Sequence, residues 1–223
     1  MAVVIQETKA SLFGDSGIES VGFAVSGEAA EIAWNEATAN DLNAFFADPQ
    51  KKKITINSKA LAHTLVTAGA QLSGVSEDVL LSAYLLHAGR RFDIESLITE
   101  HAGETWSDLN MTEKAKALHK LALDLRAELE ALATKQGGVY TVVTLLRDIE
   151  LPLVPVLFAM ERSGIQLEPT VFEQLSREID TSVQVLEKEI AVLAGKEFNL
   201  NSPRQLAEVL FVDLAIPTDR IKK

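Results

Sequence analysis

Gly14-Asp15-Ser16-Gly17 places a serine in the glycine-flanked turn that an acyl-transfer nucleophile favours. Such a serine also needs a histidine base and a carboxylate to orient it, both held by structure around it. Only thirteen residues precede Gly14, and the nearest histidine is His63, so the motif reads as a surface turn. The four histidines, His63, His87, His101 and His119, contain no i,i+4 pair, and no H-E-x-x-H occurs. No carboxylates cluster at metal-ligand spacing. Neither G-x-x-x-x-G-K-[ST] nor G-x-G-x-x-G is present, so no loop is built to cradle phosphate. Lys51-Lys52-Lys53 and Arg90-Arg91 read as solvated loop edges. Local motifs alone name no reaction.

The chain that would have to position any such group has 223 residues, 47% of them apolar, and a formal net charge of −11. That is enough apolar material for a real core and too much for a disordered chain. With no cysteine there is neither a disulfide framework nor a thiolate metal site. The first fifteen residues carry acids and no basic leader, so no secretory signal is expected. The most apolar stretch, 139–160, is broken by Arg147, Asp148 and Glu150, and is not a membrane span. The acidity is uneven. Residues 1–147 carry −6 and 148–223 carry −5, yet the last 28 carry +1. If the chain meets a polyanion, its C-terminal end is the place.

The first third reads as strands and turns: Val3–Ile5, Val21–Val25, a turn at Ser26-Gly27-Glu28, a returning strand Ala29–Trp34, and a further strand from Lys53 to Asn57. Helices are expected over Leu42–Asp48, Lys59–Ala68, Ser76–His87, Asp93–His101 and Thr112–Thr134. Gln136-Gly137-Gly138 is the clearest internal break, and beyond it the pattern is purely helical. Glu150–Arg162 carries Leu153, Val156, Leu157 and Met160 on one face, with Gly164 as its cap. From Pro169 a helix of roughly 39 Å carries Phe172, Leu175, Ile179, Val183, Leu186, Ile190 and Leu193 along a narrow seam that ends at Gly195. This seam is expected to be covered by packing within the chain. Ser202 and Pro203 open a last helix as N-cap and first helical residue.

Three segments in order resemble the bacterial family A DNA polymerases of the DNA polymerase I type. They are Ser82-Ala83-Tyr84-Leu85-Leu86 with Phe92–Leu97; Glu150-Leu151-Pro152-Leu153-Val154-Pro155-Val156-Leu157 with Met160–Gly164; and Phe198-Asn199-Leu200-Asn201-Ser202-Pro203-Arg204-Gln205-Leu206 with Val209-Leu210-Phe211. The resemblance implies an α/β (α+β) chain. Residues 1–147 would form an RNase H-like 3′–5′ exonuclease-type domain, and 148–223 the opening, long helices of the polymerase thumb. The parent activity implied is that of a DNA-directed DNA polymerase, a cytoplasmic nucleotidyltransferase of DNA replication and repair that uses Mg²⁺.

Proofreading of this type needs carboxylates around two metal ions, which activate water and stabilise the leaving oxygen. Measured against the family pattern, the first strand reads Val4-Ile5-Gln6-Glu7-Thr8, with at most one acid. The second segment reads Asn57-Ser58-Lys59-Ala60-Leu61, with leucine in the acid's place, and residues 116–126 lack the family's tyrosine. The reading is therefore a degenerate exonuclease domain with no catalytic residue, no metal site and no cofactor. The palm acids of the polymerase lie beyond the thumb, and the chain stops at Lys223, so it reads as a piece of a longer polymerase without catalysis of its own. Its expected partners are primer-template duplex, held weakly, and the remainder of the polymerase domain. A monomer with no membrane association is expected. Asn199, Asn201, Ser202, Arg204, Lys222 and Lys223 are the expected DNA contacts, although the first three also suit an ordinary turn and helix cap. Two rivals stay open: a live exonuclease using Glu7, Asp78 and Asp124, and a stand-alone helical module that dimerises through the 172–193 seam.

Overall fold

The computed structural model describes residues 1–7 and 17–217. The Gly14-Asp15-Ser16 turn and the cations Lys222 and Lys223 lie outside the described residues. The chain divides into two compact units, Met1–Gly164 and Ile165–Lys223.

The first unit is built on a five-stranded sheet of order β3-β2-β1-β4-β5. Its strands are β1 (Ala2–Glu7), β2 (Ile18–Val25), β3 (Glu28–Ala33), β4 (Lys53–Thr55) and β5 (Val75–Asp78). β1–β2 and β2–β3 pair antiparallel, and β4 joins β1 and β5 in parallel. Alternation along the strands decides the two faces. Ala2 and Val4 enter one core with Val79 and Ala83 of α3 (Val79–Leu86), Leu97 and Ile98 of α4 (Ile94–Ala102), and Leu118, Leu121 and Leu125 of α5 (Met111–Gln136). Val3 and Val21 enter the other with Leu42 and Phe46 of α1 (Ala39–Ala47) and Leu61 and Leu65 of α2 (Ser58–Thr67). Each of the fully buried valine, leucine, isoleucine and phenylalanine side chains stabilises the fold by about 1.5–3 kcal/mol.

α5 starts at a capping box in which the Asn110 side chain accepts from the Glu113 amide and Glu113 reaches back. It lies so close to β2 that a Cβ on Gly22 would stand 2.6 Å from the Met111 carbonyl oxygen. Glycine is required there by contact rather than by a turn. After a four-residue helix α6 (Val142–Leu145), a π turn over Leu146–Glu150 leads into α7 (Leu151–Ser163). α7 lays Leu151, Val154 and Phe158 on the α2 side, and these are half-buried.

Two expectations for the first unit are corrected. Ser76–His87 is not one helix: Val75–Asp78 forms a parallel edge strand, and the helix starts at Val79. Four residues, two of them acids, give too short an alternation to be read as a strand. Lys53 is no solvated loop edge, for its side chain is fully buried. The α7 face carrying Leu153, Val156, Leu157 and Met160 is the exposed one.

The second unit holds α8 (Pro169–Ala194), α9 (Pro203–Glu208) and a π turn over Val209–Asp213. Gly195 ends α8 in the left-handed region, and Lys196 Nζ meets Asp213 Oδ2 at 2.5 Å. Among the described residues nothing covers the seam of α8: its expected core residues are exposed from 45% at Val183 to 76% at Leu193, with Ile190 alone half-buried. The eleven residues 203–213 reach only about 16 Å as helix, too little to cover α8.

Candidate functional site

Where β1 and β4 run parallel and α2 follows β4, their carboxyl ends open a cleft, the usual place for a site in such sheets. It encloses about 170 Å³, and Ile5, Glu7, Ile56, Asn57, Leu61 and Thr64 are among its walls. Its polar side chains are engaged locally. Glu7 Oε1 accepts from the Thr64 hydroxyl at 2.7 Å. Asn57 caps α2, its Oδ1 accepting from the Ala60 amide at 3.0 Å. Leu61 is buried in the core beneath.

Asp78, at the end of β5, is buried and faces four donors. Its Oδ2 accepts from the Ser58 amide and hydroxyl, each at 2.6 Å, and Oδ1 from the amides of Leu80 and Leu81 at 3.1 and 3.2 Å. Burial pushes its carboxyl up, and the Ser58 bonds pull it back. It is the N-cap of α3 and at the same time the anchor of the first turn of α2. Next to it the buried Glu77 takes a bidentate fork from Arg126 of α5, at 2.8 and 2.6 Å.

Glu7, Asp78 and Asp124 therefore do not converge. Glu7 and Asp78 bond to α2 at Thr64 and Ser58, about 9 Å apart along the helix. Asp124 belongs to α5, which packs on the opposite face of the sheet. Among the described residues no three His, Asp or Glu side chains come together to hold a metal ion. The other charge cluster ties α7 to α2: Glu161 takes Lys59 Nζ at 2.5 Å and His63 Nε2 at 2.8 Å. Those partners, Lys59 first, hold the Glu161 carboxyl below its usual range. Sequence reading missed Thr64, Ser58 and the Glu77–Arg126 fork, since partners 20 or more residues apart leave no local signal. Asp78 was read as an acid near a helix N-terminus, but its capping role was not seen, since the helix was expected to begin at Ser76.

In the second unit, Asn199, Asn201, Ser202 and Arg204 are brought together in one turn and the helix start after it. The Asn201 amide donates to Asn199 Oδ1 at 2.9 Å, and the Ser202 amide to the Asn199 carbonyl at 3.0 Å. The Asn199 amide donates to Gln205 Oε1 at 2.8 Å. Ser202 caps α9. Asn199, Asn201 and Arg204 remain exposed.

Residues 17–108 match the family model described as the DNA polymerase I, ribonuclease H-like domain. Over most of its length this chain is similar to DNA polymerase I sequences. The DNA polymerase I of Geobacillus stearothermophilus is 31% identical over 188 residues, which is 78% of this chain and 21% of the relative. That of Bacillus caldotenax is 29% identical over 97% of this chain and 26% of its own length. Among solved structures, the POL domain of Pol1 from M. smegmatis, in complex with DNA primer-template and dNTP, superposes with a TM-score of 0.75 at 27% identity. That match covers 99% of this chain and 38% of the other. The chain thus spans about a fifth to a quarter of the curated DNA polymerase I relatives it matches. The mixed α/β sheet and long helices agree with the RNase H-like domain and polymerase resemblance. No helix among the described residues is long and apolar enough to cross a membrane.

Proposed function

We propose that residues 1–147 are the exonuclease-like domain of a DNA polymerase I and act there as architecture, without hydrolysing DNA. Residues 148–223 begin the polymerase domain and carry contacts to duplex DNA. One observation supports the first part above others: among the described residues the cleft between β1, β4 and α2 offers a single carboxylate, Glu7, already bonded to Thr64. Paired Mg²⁺ ions, which proofreading would require, do not fit that donor set. Two divalent ions need several bridging carboxylates. Leu61 supplies none, and the oxygens of Asp78 are filled by backbone and serine donors. Incubated with 3′-labelled single-stranded DNA and Mg²⁺ or Mn²⁺, the chain is expected to release no nucleotide. Release that co-purifies with the protein overturns the proposal.

The second part rests on the exposed turn at Asn199–Arg204 and on the solved Pol1 relative, whose POL domain was solved in complex with primer-template DNA. Asparagine side chains and an arginine beside a helix N-terminus suit phosphate and sugar partners. Binding by this chain alone is expected to be weak, because its net charge of −11 repels phosphate. In a salt titration by fluorescence anisotropy with duplex DNA, Arg204→Ala is expected to lower the slope of log K against log salt by about 0.9, one phosphate contact. An unchanged slope removes Arg204 from the interface.

A further inference from the structure

β3 is an edge of the sheet, and its open side is readable from the register. The Trp34 amide donates to the Glu19 carbonyl at 2.9 Å, which makes that opposed pair a hydrogen-bonded one. Because such pairs alternate in an antiparallel ladder, Ile32/Val21, Ala30/Phe23 and Glu28/Val25 are the next bonded pairs. The amides of Ala29, Glu31 and Ala33 therefore point away from β2. The Ala33 carbonyl, on that same side, is taken by the Thr38 hydroxyl at 2.5 Å. No further strand pairs with β3 among the described residues.

The side chains of β3 that face α1 are Glu28, Ala30 and Ile32, since they lie opposite Val25, Phe23 and Val21. Together with Phe23, Val25, Leu42 and Phe45 they bound an apolar groove of about 430 Å³ between the edge strand and α1. Its floor is left open beside β3. Ile32 and Val25 are consequently exposed. Glu28 and Asp41 stand at the groove, and Glu31 lies on the opposite face of the same edge. Lys51 lies across one wall, its Nζ 5.7 Å from the Phe45 ring.

We propose that this edge and groove bind an extended peptide segment of a partner protein, added as a sixth strand beside β3. Alternate apolar side chains would enter the groove, and the intervening basic ones would meet Glu31. Strand addition supplies affinity through main-chain bonds, and the groove supplies specificity at every second residue. The acids select the partner's charge. A second copy of this chain is disfavoured, because two β3 edges would bring four glutamates together. A basic strand meets the same glutamates favourably.

The experiment is a titration with a fluorescein-labelled peptide of about ten residues alternating valine and lysine. A peptide of the same composition in separate valine and lysine blocks serves as control. Hydrogen exchange by NMR is read on the complex. The alternating peptide is expected to bind saturably and to slow exchange at Ala29, Glu31 and Ala33, with Glu28, Ala30 and Ile32 unchanged. Ile32→Lys, a substitution at an exposed position, is expected to weaken binding by about tenfold or more. Glu31→Gln should reduce the salt dependence. Protection of the α5 amides in each variant reports that it is folded. Absence of saturable binding, equal binding of the block peptide, or binding without protection at the three outward amides overturns the proposal.

Discussion

Arg126→Ala is expected to lower the unfolding free energy of the first unit by about 3 kcal/mol, more than a surface ion pair is worth. The asymmetry of the pair is the reason. Glu77's side chain is 6% exposed and Arg126's 47%, so Arg126 is the half in water and Glu77 the half under it. Removing arginine leaves a carboxylate that has lost both donors of its fork and cannot be rehydrated where it lies. A loss of this size is a large share of the total stability of a domain. Urea unfolding followed by circular dichroism measures it. Replacing both partners with leucine should recover most of the loss, since an apolar pair does not leave a buried charge. A change below about 1 kcal/mol in the single variant would place the pair with ordinary surface salt bridges.

Lys53 predicts a pH dependence of similar size. Its ammonium donates to the carbonyls of Asp48, Lys51 and Ser73 at 2.9, 2.8 and 2.8 Å, and lies 4.8 Å from the Phe45 ring. Burial pushes the ammonium down to about 8 from an ordinary 10.5, against the pull of Asp48. Below pH 8 both folded and unfolded chains hold the proton, and stability has no slope from this group. Between about 8 and 10.5 the folded chain has released a proton that the unfolded chain still binds, so stability rises with pH. The full rise is about 3 kcal/mol, and it is the difference between wild type and Lys53→Met that isolates it from other titrations. Two parallel stability curves over that window would show that Lys53 titrates normally.

Much of the fold was legible because local chemistry agreed with it. The β2–β3 hairpin follows from two alternating runs around Ser26-Gly27, whose φ values are positive. Gly164 and Gly195 end α7 and α8 as their positions predict. What was not legible depended on partners distant in sequence. The burial of Lys53 depends on Ser73, twenty residues away, and on the loop 48–51 folding over it. β5 exists because β4 offers a ladder to Val75–Asp78, not because those four residues favour a strand. At the candidate site the reading of Leu61 as a lost carboxylate rests on resemblance alone. The engagement of Glu7 by Thr64, on another element, was not legible. On α8 the apolar spacing was correctly seen, but spacing alone does not say whether a neighbour covers it.

The π turn over Leu146–Glu150 closes with the Leu151 amide on the Leu146 carbonyl, five residues back. A turn of that kind holds one residue more than an α-helical turn. Everything downstream is rotated by about 100° relative to an uninterrupted α-helix. That phase offset is what aims Leu151, Val154, Phe158 and Glu161 at α2, with the Phe158 ring 4.8 Å from that of His63. Excising a single residue from 146–150 would re-clock the helix and swing this whole contact row sideways, while leaving its composition almost untouched.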